Sequence, residues 1–291
     1  MTTAVAPRQK RDLQPQISAI QRRRILLGFM TWDEAKNYVA SLPLAETIDE
    51  ARLRESYEPC RAAVERLPTA LIKNPEIKAM PSHLSKQLAR LAASDTFLNL
   101  FGGAEWQFAM VEIDSLIAFQ RELVLDNVHA ARRPRGAVTS RLLDYCLPLE
   151  WTSEFQVTPA AGNSISFSSW DPNLGLNVAI SPPVASFQVS LRPPYIQVAD
   201  FGGRLLLKNG YHRTFWLKKS GYRHVPCVLI KCHEYTQTGA SHPAFFPQQT
   251  VLGPRPPLVR YFVDENLTAT FRERRAKKVI TLNWQEHWVP I

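Results

Sequence analysis

Apolar positions in the first hundred residues recur near the 3.6-residue period of a helix. Thr31-x-x-Glu34 and Thr47-x-x-Glu50 both have the form of a capping box, in which a hydroxyl and a carboxylate each satisfy a backbone donor at a helix start. The first predicts a short helix over 32–41. The second predicts a longer one with Leu53, Tyr57, Ala62, Val64 and Leu67 near helical spacing, kinked or split at Pro59. Ser82 opens a third, with Leu84, Leu88 and Leu91 on one stripe. Residues 1–20 are polar and aperiodic and read as a flexible arm. The segment 1–100 is therefore expected to be a helical region, its apolar stripes forming core.

The texture changes at Gly102-Gly103. Phe108 to Ile113 reads as a strand, and Asp114-Ser115-Leu116-Ile117 turns out of it. A short helix is expected around Ser140–Cys146 and a strand over Trp151–Val157. Short strands follow at 164–168, 176–180 and 186–191, separated by the prolines at 182–183 and 193–194. The clearest local pattern lies at 195–230. Tyr195–Val198 is a strand, Asp200-Phe201-Gly202-Gly203 a turn, and Arg204–Lys208 the returning strand. Asn209-Gly210 turns the chain into a short helix, Tyr211–Lys219. Gly221 suits the position past its end, and Cys227–Ile230 reads as a buried strand. A last strand is expected at Val279–Trp284. The fold class is α+β, with a helical N-terminal region, a mixed-sheet domain with an insertion over 101–232, and an extension over 233–291.

Composition adds limits. The 291 residues are 45% hydrophobic and 21% charged, ordinary for a globular protein. No apolar run nears the ~20 residues of a membrane helix, the first residues lack the pattern of a secretory signal, and four cysteines make no disulfide framework. A cytoplasmic setting without membrane association is the expectation. Net charge is +9, which favours anionic partners. The charge gathers at Arg22–Arg24, at Arg132-Arg133-Pro134-Arg135, and from Arg272 to Lys278. Each cluster reads either as a solvated face or as part of a phosphate track.

The joint at 209–213 carries the candidate chemistry. A helix start offers backbone donors and the positive end of the dipole, and so attracts anions. Gly210 permits close approach of a ligand. His212 and Arg213 place basic side chains where the dipole disfavours them, which a bound phosphate would explain. The competing reading has His212 packed and Arg213 paired with Asp200 or Asp114. Asp114, Asp126 and Asp200 offer carboxylates for a magnesium ion beside a nucleotide. Cys227 and Cys232, with His224, His233 and His242, lack the second cysteine pair of a zinc site, so no zinc is expected.

Gly210-x-His212-Arg213 follows a hairpin ending in Leu-Leu-Leu-Lys-Asn. It precedes a short helix, Ser-Gly, Val225-Pro226 and an apolar strand. That arrangement resembles the ParB/sulfiredoxin-like superfamily, in which such a turn binds nucleotide phosphates. Val111 through Arg121 is similar to the opening of ParB-type domains, without their usual proline. The resemblance implies phosphate contacts from Asn209, Gly210, Tyr211, His212 and Arg213, further contacts from Gln120 and Arg121, and a ligand such as ATP or CTP with Mg2+. Asp114, Asp200 and His212 become candidates for catalysis. Two departures stand out. Tyr211 occupies the position of the glutamate of partition proteins and of the cysteine nucleophile of sulfiredoxins. A phenol cannot replace that thiolate, so sulfinic acid reduction is not expected.

Three functions fit. The first is a nucleotide-binding protein that hydrolyses or transfers from a nucleoside triphosphate, with the N-terminal helices contacting a protein partner or DNA. The second is a DNA- or RNA-binding protein or nuclease using the same turn. The third is a non-enzymatic scaffold or regulatory subunit.

Overall fold

A computed structural model describes residues 19–69, 75–127, 134, 136–151, 154–160 and 162–288. Most of the arm read at 1–20 and all three arginines of the middle basic cluster lie outside these residues.

The chain enters as strand β1 (Ile20–Ile25), inside the segment expected to be helical. Helix α1 (Trp32–Ala40) follows with the Thr31/Glu34 capping box intact. Helix α2 (Glu50–Glu65) is capped by Asp49, not by Thr47, because the Asp49 side chain reaches the amide of Arg52 at 2.8 Å. Pro59 lies inside this helix, which continues through it as one element. Strand β2 (Ile77–Ala79) is a second strand in the region read as helical. Helices α3 (Ser85–Ala92) and α4 (Asp95–Phe101) lead to β3 (Trp106–Glu112), β4 (Glu122–Val124) and α5 (Ser140–Cys146).

An insertion then forms β5 (Gln156–Ala160), β6 (Ser164–Ser169), β7 (Leu174–Ser181) and β8 (Val184–Leu191). The chain returns through β9 (Gln197–Phe201), β10 (Arg204–Asn209), α6 (Tyr211–Lys219) and β11 (His224–Cys232). It ends with the short α7 (Gln248–Val251), β12 (Ala269–Arg274) and β13 (Lys278–Asn283).

The central sheet has the order β10-β9-β11-β3-β2, with β9 and β11 parallel and the other pairs antiparallel. The segment after β3 runs beside β10, where the amide of Ile117 donates to the Leu205 carbonyl at 2.8 Å. A second sheet, β12-β1-β4, joins the two ends of the described chain. This sheet accounts for Arg22–Arg24. Arg22 pairs with Asp126 at 2.6 Å, and Arg23 contacts Glu122 and the fully buried Glu273. Arg24 donates to the Phe262 carbonyl at 3.1 Å. Each arginine of the cluster thus has a partner within the chain, Arg22 at the surface and Arg23 and Arg24 largely buried.

One hydrophobic cluster runs from Ile25 through Phe97, Val111, Phe119, Val198, Leu206, Phe215 and Val228 to Phe271. Among the described residues, none from 150 to 194 belongs to it. The insertion forms its own small sheets, β13-β6-β5 and the ribbon β7-β8, standing off the core. No helix among the described residues is long and apolar enough to cross a membrane.

Candidate functional site

Strand β10 ends at Asn209, and the chain must reverse into α6 over one residue. Gly210 does so with φ +99°. A side chain here would be strained by that backbone angle, and its Cβ would lie 2.7 Å from Cγ1 of Ile196. The glycine is therefore required by turn and packing, before any ligand is considered. Asn209 Oδ1 accepts from the Gly210 amide at 2.8 Å and stabilises the turn.

After Gly210 the side chains turn inward. Tyr211 is buried, and its phenol oxygen accepts from the amides of Phe119 (2.9 Å) and Gln120 (3.3 Å). Burial holds the phenol well above its ordinary pKa, so it stays neutral. His212 Nε2 is inaccessible to solvent. Burial, with Arg213 and Arg23 nearby, pushes the imidazole down to about 4. It is neutral near pH 7 and offers no positive charge to a ligand there.

Arg213 is 3% exposed. Its Nη1 donates to the carbonyls of Tyr145 and Cys146, each at 3.0 Å. Burial lowers it to about 10, which leaves it charged at neutral pH. It sits at the C-terminal end of α5, where a cation meets carbonyls without intrahelical partners. This corrects the expectation that Arg213 faces a phosphate. Its guanidinium is directed into the protein, and its partners are carbonyls, not Asp200 or Asp114.

The carboxylates are also engaged. Asp114 lies 2.6 Å from Lys218, Asp200 3.2 Å from Lys231, and Asp126 holds Arg22. Ion-paired in this way, the three do not converge on one point, and they do not fit a shared magnesium site. Among the described residues no group of three His, Cys, Asp or Glu side chains could hold a metal. Cys227 and Cys232 are buried, and burial raises both thiols. Arg121 donates to the Phe245 carbonyl at 3.1 Å and lies over the rings of Tyr38 and Phe246.

Before Gly210 the surroundings differ. Asn209 and Gln120 border a cleft of about 960 Å³ at the ends of β10 and β11, facing the insertion. Of the residues expected to contact a phosphate or ligand, these two are brought together there. The cleft is basic. Lys208, Lys231 and His233 line it from the central-sheet side, and Arg192 and Lys278 from the insertion side. Glu105, at 3.5 Å from His233, is the one acidic residue among the described lining residues.

Three of these cations are hydrogen-bonded to neutral oxygens. Lys208 donates to the Gln237 carbonyl at 3.0 Å, and Lys278 to the Pro172 carbonyl at 3.1 Å. Arg192 donates to Asn177 Oδ1 at 2.8 Å. Burial and the nearby Arg192 hold the Lys278 ammonium below the usual lysine range, against an opposing pull from Asp171. The cleft therefore holds like charges that an anion would relieve.

Sequence reading missed Arg192, Lys208, Lys231 and Lys278 as a group. The available signal was local for two of them: Lys208 directly precedes the Asn-Gly turn, and Lys231 ends an apolar strand.

Comparison of the chain with family models, with curated proteins and with solved structures finds no match.

Proposed function

We propose that this chain binds a nucleotide in the basic cleft. The phosphates lie between the Lys208–Asn209 end of β10 and the Arg192–Lys278 side of the insertion. The observation that carries the reading is the charge of the lining. Four Lys and Arg side chains from two parts of the chain face a cleft with a single carboxylate, and three of them are bonded to neutral acceptors. A volume of about 960 Å³ suits a ligand of nucleotide size. Gln120 and Asn209 add amide groups able to hydrogen-bond to a base, a sugar or a phosphate.

A ParB/sulfiredoxin-like domain is part of the proposal. In its favour are the β9–β10 hairpin, the following helix α6, and the return of β11 parallel to β9. The ligand we favour is a nucleoside triphosphate, ATP or CTP, held for hydrolysis or transfer. Asp114 and Asp200 are ion-paired and His212 is neutral, so the reading rests on the cations that bind the phosphates.

Isothermal titration with ATP and with CTP, with and without Mg2+, tests it. Binding is expected, weakened about tenfold in each of Lys208→Ala and Arg192→Ala, which remove one charge-assisted phosphate contact apiece. Thermal stability should stay within about 0.5 kcal/mol, as both side chains are peripheral to the core. A folded chain that binds neither nucleotide overturns the proposal. The net charge of +9 favours a second reading, in which the cleft takes a DNA or RNA backbone. Its signature is an affinity for oligonucleotides that falls steeply with salt, through counterion release.

A further inference from the structure

The β7–β8 ribbon presents a surface that the cleft does not use. Side chains alternate across a strand. The register sets Leu176 opposite Val189, Val178 opposite Phe187, and Ile180 opposite Ala185. These six share one face, and Asn177, Ser186 and Gln188 belong to the other. The apolar face is uncovered: Val178 is 51%, Phe187 61% and Ile180 75% exposed. The sheet has only two strands, an arrangement of marginal stability by itself.

Charge points to the occupant. Between Leu174 and Leu191 there is no Asp, Glu, Lys, Arg or His, although the chain carries +9 overall. Two copies repel each other through their net field, and this ribbon is a surface on which they can meet without opposed like charges. An uncharged face also gives an acidic partner nothing to pair with. What matches it best is an equally apolar ribbon of the same length, and a two-fold axis brings the same patch of each copy together.

The area suits a weak dimer. Val178, Ile180, Ala185 and Phe187 are exposed while Leu176 and Val189 are already partly buried, which leaves roughly 500 Å² per copy. The total of about 1,000 Å² is at the threshold of a specific interface, in the weak and reversible range. We propose that the ribbon is a self-association element, through which two copies of this chain pack their β7–β8 apolar faces about a two-fold axis.

Sedimentation equilibrium of the full chain over ~1 to ~100 μM tests this, at ~0.15 M and ~1 M salt. A dimer is expected, tighter at high salt because screening weakens repulsion between the copies. The double variant Ile180→Thr/Phe187→Thr keeps strand propensity and touches no core residue. It should dissociate at least about tenfold more readily, with unchanged circular dichroism and melting. Three results would overturn the proposal: a wild-type monomer throughout the range, a variant that dimerises like wild type, or a monomeric wild-type chain that partitions into neutral phosphatidylcholine vesicles.

Discussion

Gly210 divides one short joint into two sides of opposite character. On the strand side, Lys208 and Asn209 border an open basic cleft. On the helix side, Tyr211 and Arg213 are buried, and each is spent on a backbone segment far away in sequence: Tyr211 on the amides of Phe119 and Gln120, Arg213 on the carbonyls that end α5. The difference teaches that a basic pair at a helix start need not answer to a ligand. It can answer to another helix, whose carbonyl end attracts a cation as an anion site would attract a phosphate. The cations that do face the cleft come from elsewhere.

Three substitutions break or sharpen this division. The largest effect is expected for Arg213→Ala, which takes a donor from the Tyr145 carbonyl, leaves the Cys146 carbonyl with only the Ile196 amide, and opens a cavity. Urea unfolding should show a loss of about 4 kcal/mol, while the folded fraction keeps its nucleotide affinity. Unchanged stability with lost affinity would move Arg213 to the ligand side and dissolve the contrast.

His212→Gln comes next and is read through pH. An unfolded imidazole takes up its proton near 6.5, the folded one only near about 4. Between those values the unfolded chain holds more protons, so this group's contribution to stability is full above that window and declines as pH falls through it. The decline is on the order of 3 kcal/mol. Denaturation at about pH 7 and about pH 4 should therefore show a smaller difference in the variant than in wild type. An identical difference would mean that His212 is solvated like the cleft residues.

Tyr211→Phe is the mildest, at about 2 kcal/mol, because the amides of Phe119 and Gln120 lose their shared acceptor. Hydrogen exchange at those two amides should quicken. Exchange as slow as in wild type would remove the tyrosine from the buried side.

Much of the local structure was legible. The bounds of α6 follow from the Asn-Gly turn before it and Gly221 after it, and β10 and β11 follow from short apolar runs between turn residues. Strand β1 was not legible. Ile20–Ile25 carries three consecutive arginines, and only carboxylate partners far along the chain, Asp126 at 104 residues from Arg22 and Glu273 at 250 from Arg23, make a partly buried strand there tolerable. Thr47 lost the cap of α2 to Asp49, since two adequate caps two residues apart are decided by packing rather than by local chemistry. The candidate site divides in the same way. Asn209 was found through the turn signal it belongs to, and Gln120 only through the likeness of residues 111–121 to the opening of ParB-type domains. Arg192 and Lys278 reach the cleft only after the insertion folds back; nothing near Arg192 announces it, and the basic run ending at Lys278 marks a charged segment without saying where it lies.

The pairing of β1 with β12 has a consequence for how the molecule is made. Arg24 and Thr270, hydrogen-bonded to each other, are 246 positions apart. At ~5–20 residues per second, a ribosome needs roughly 12–50 s to bring the second strand out after the first. Through that interval β1 can pair only with the three-residue β4, its other edge stays open, and closing so long a loop is among the slow events of folding. Completion of this sheet thus waits until β12 has been made, and the arginines of β1 keep the waiting segment dissolved until then.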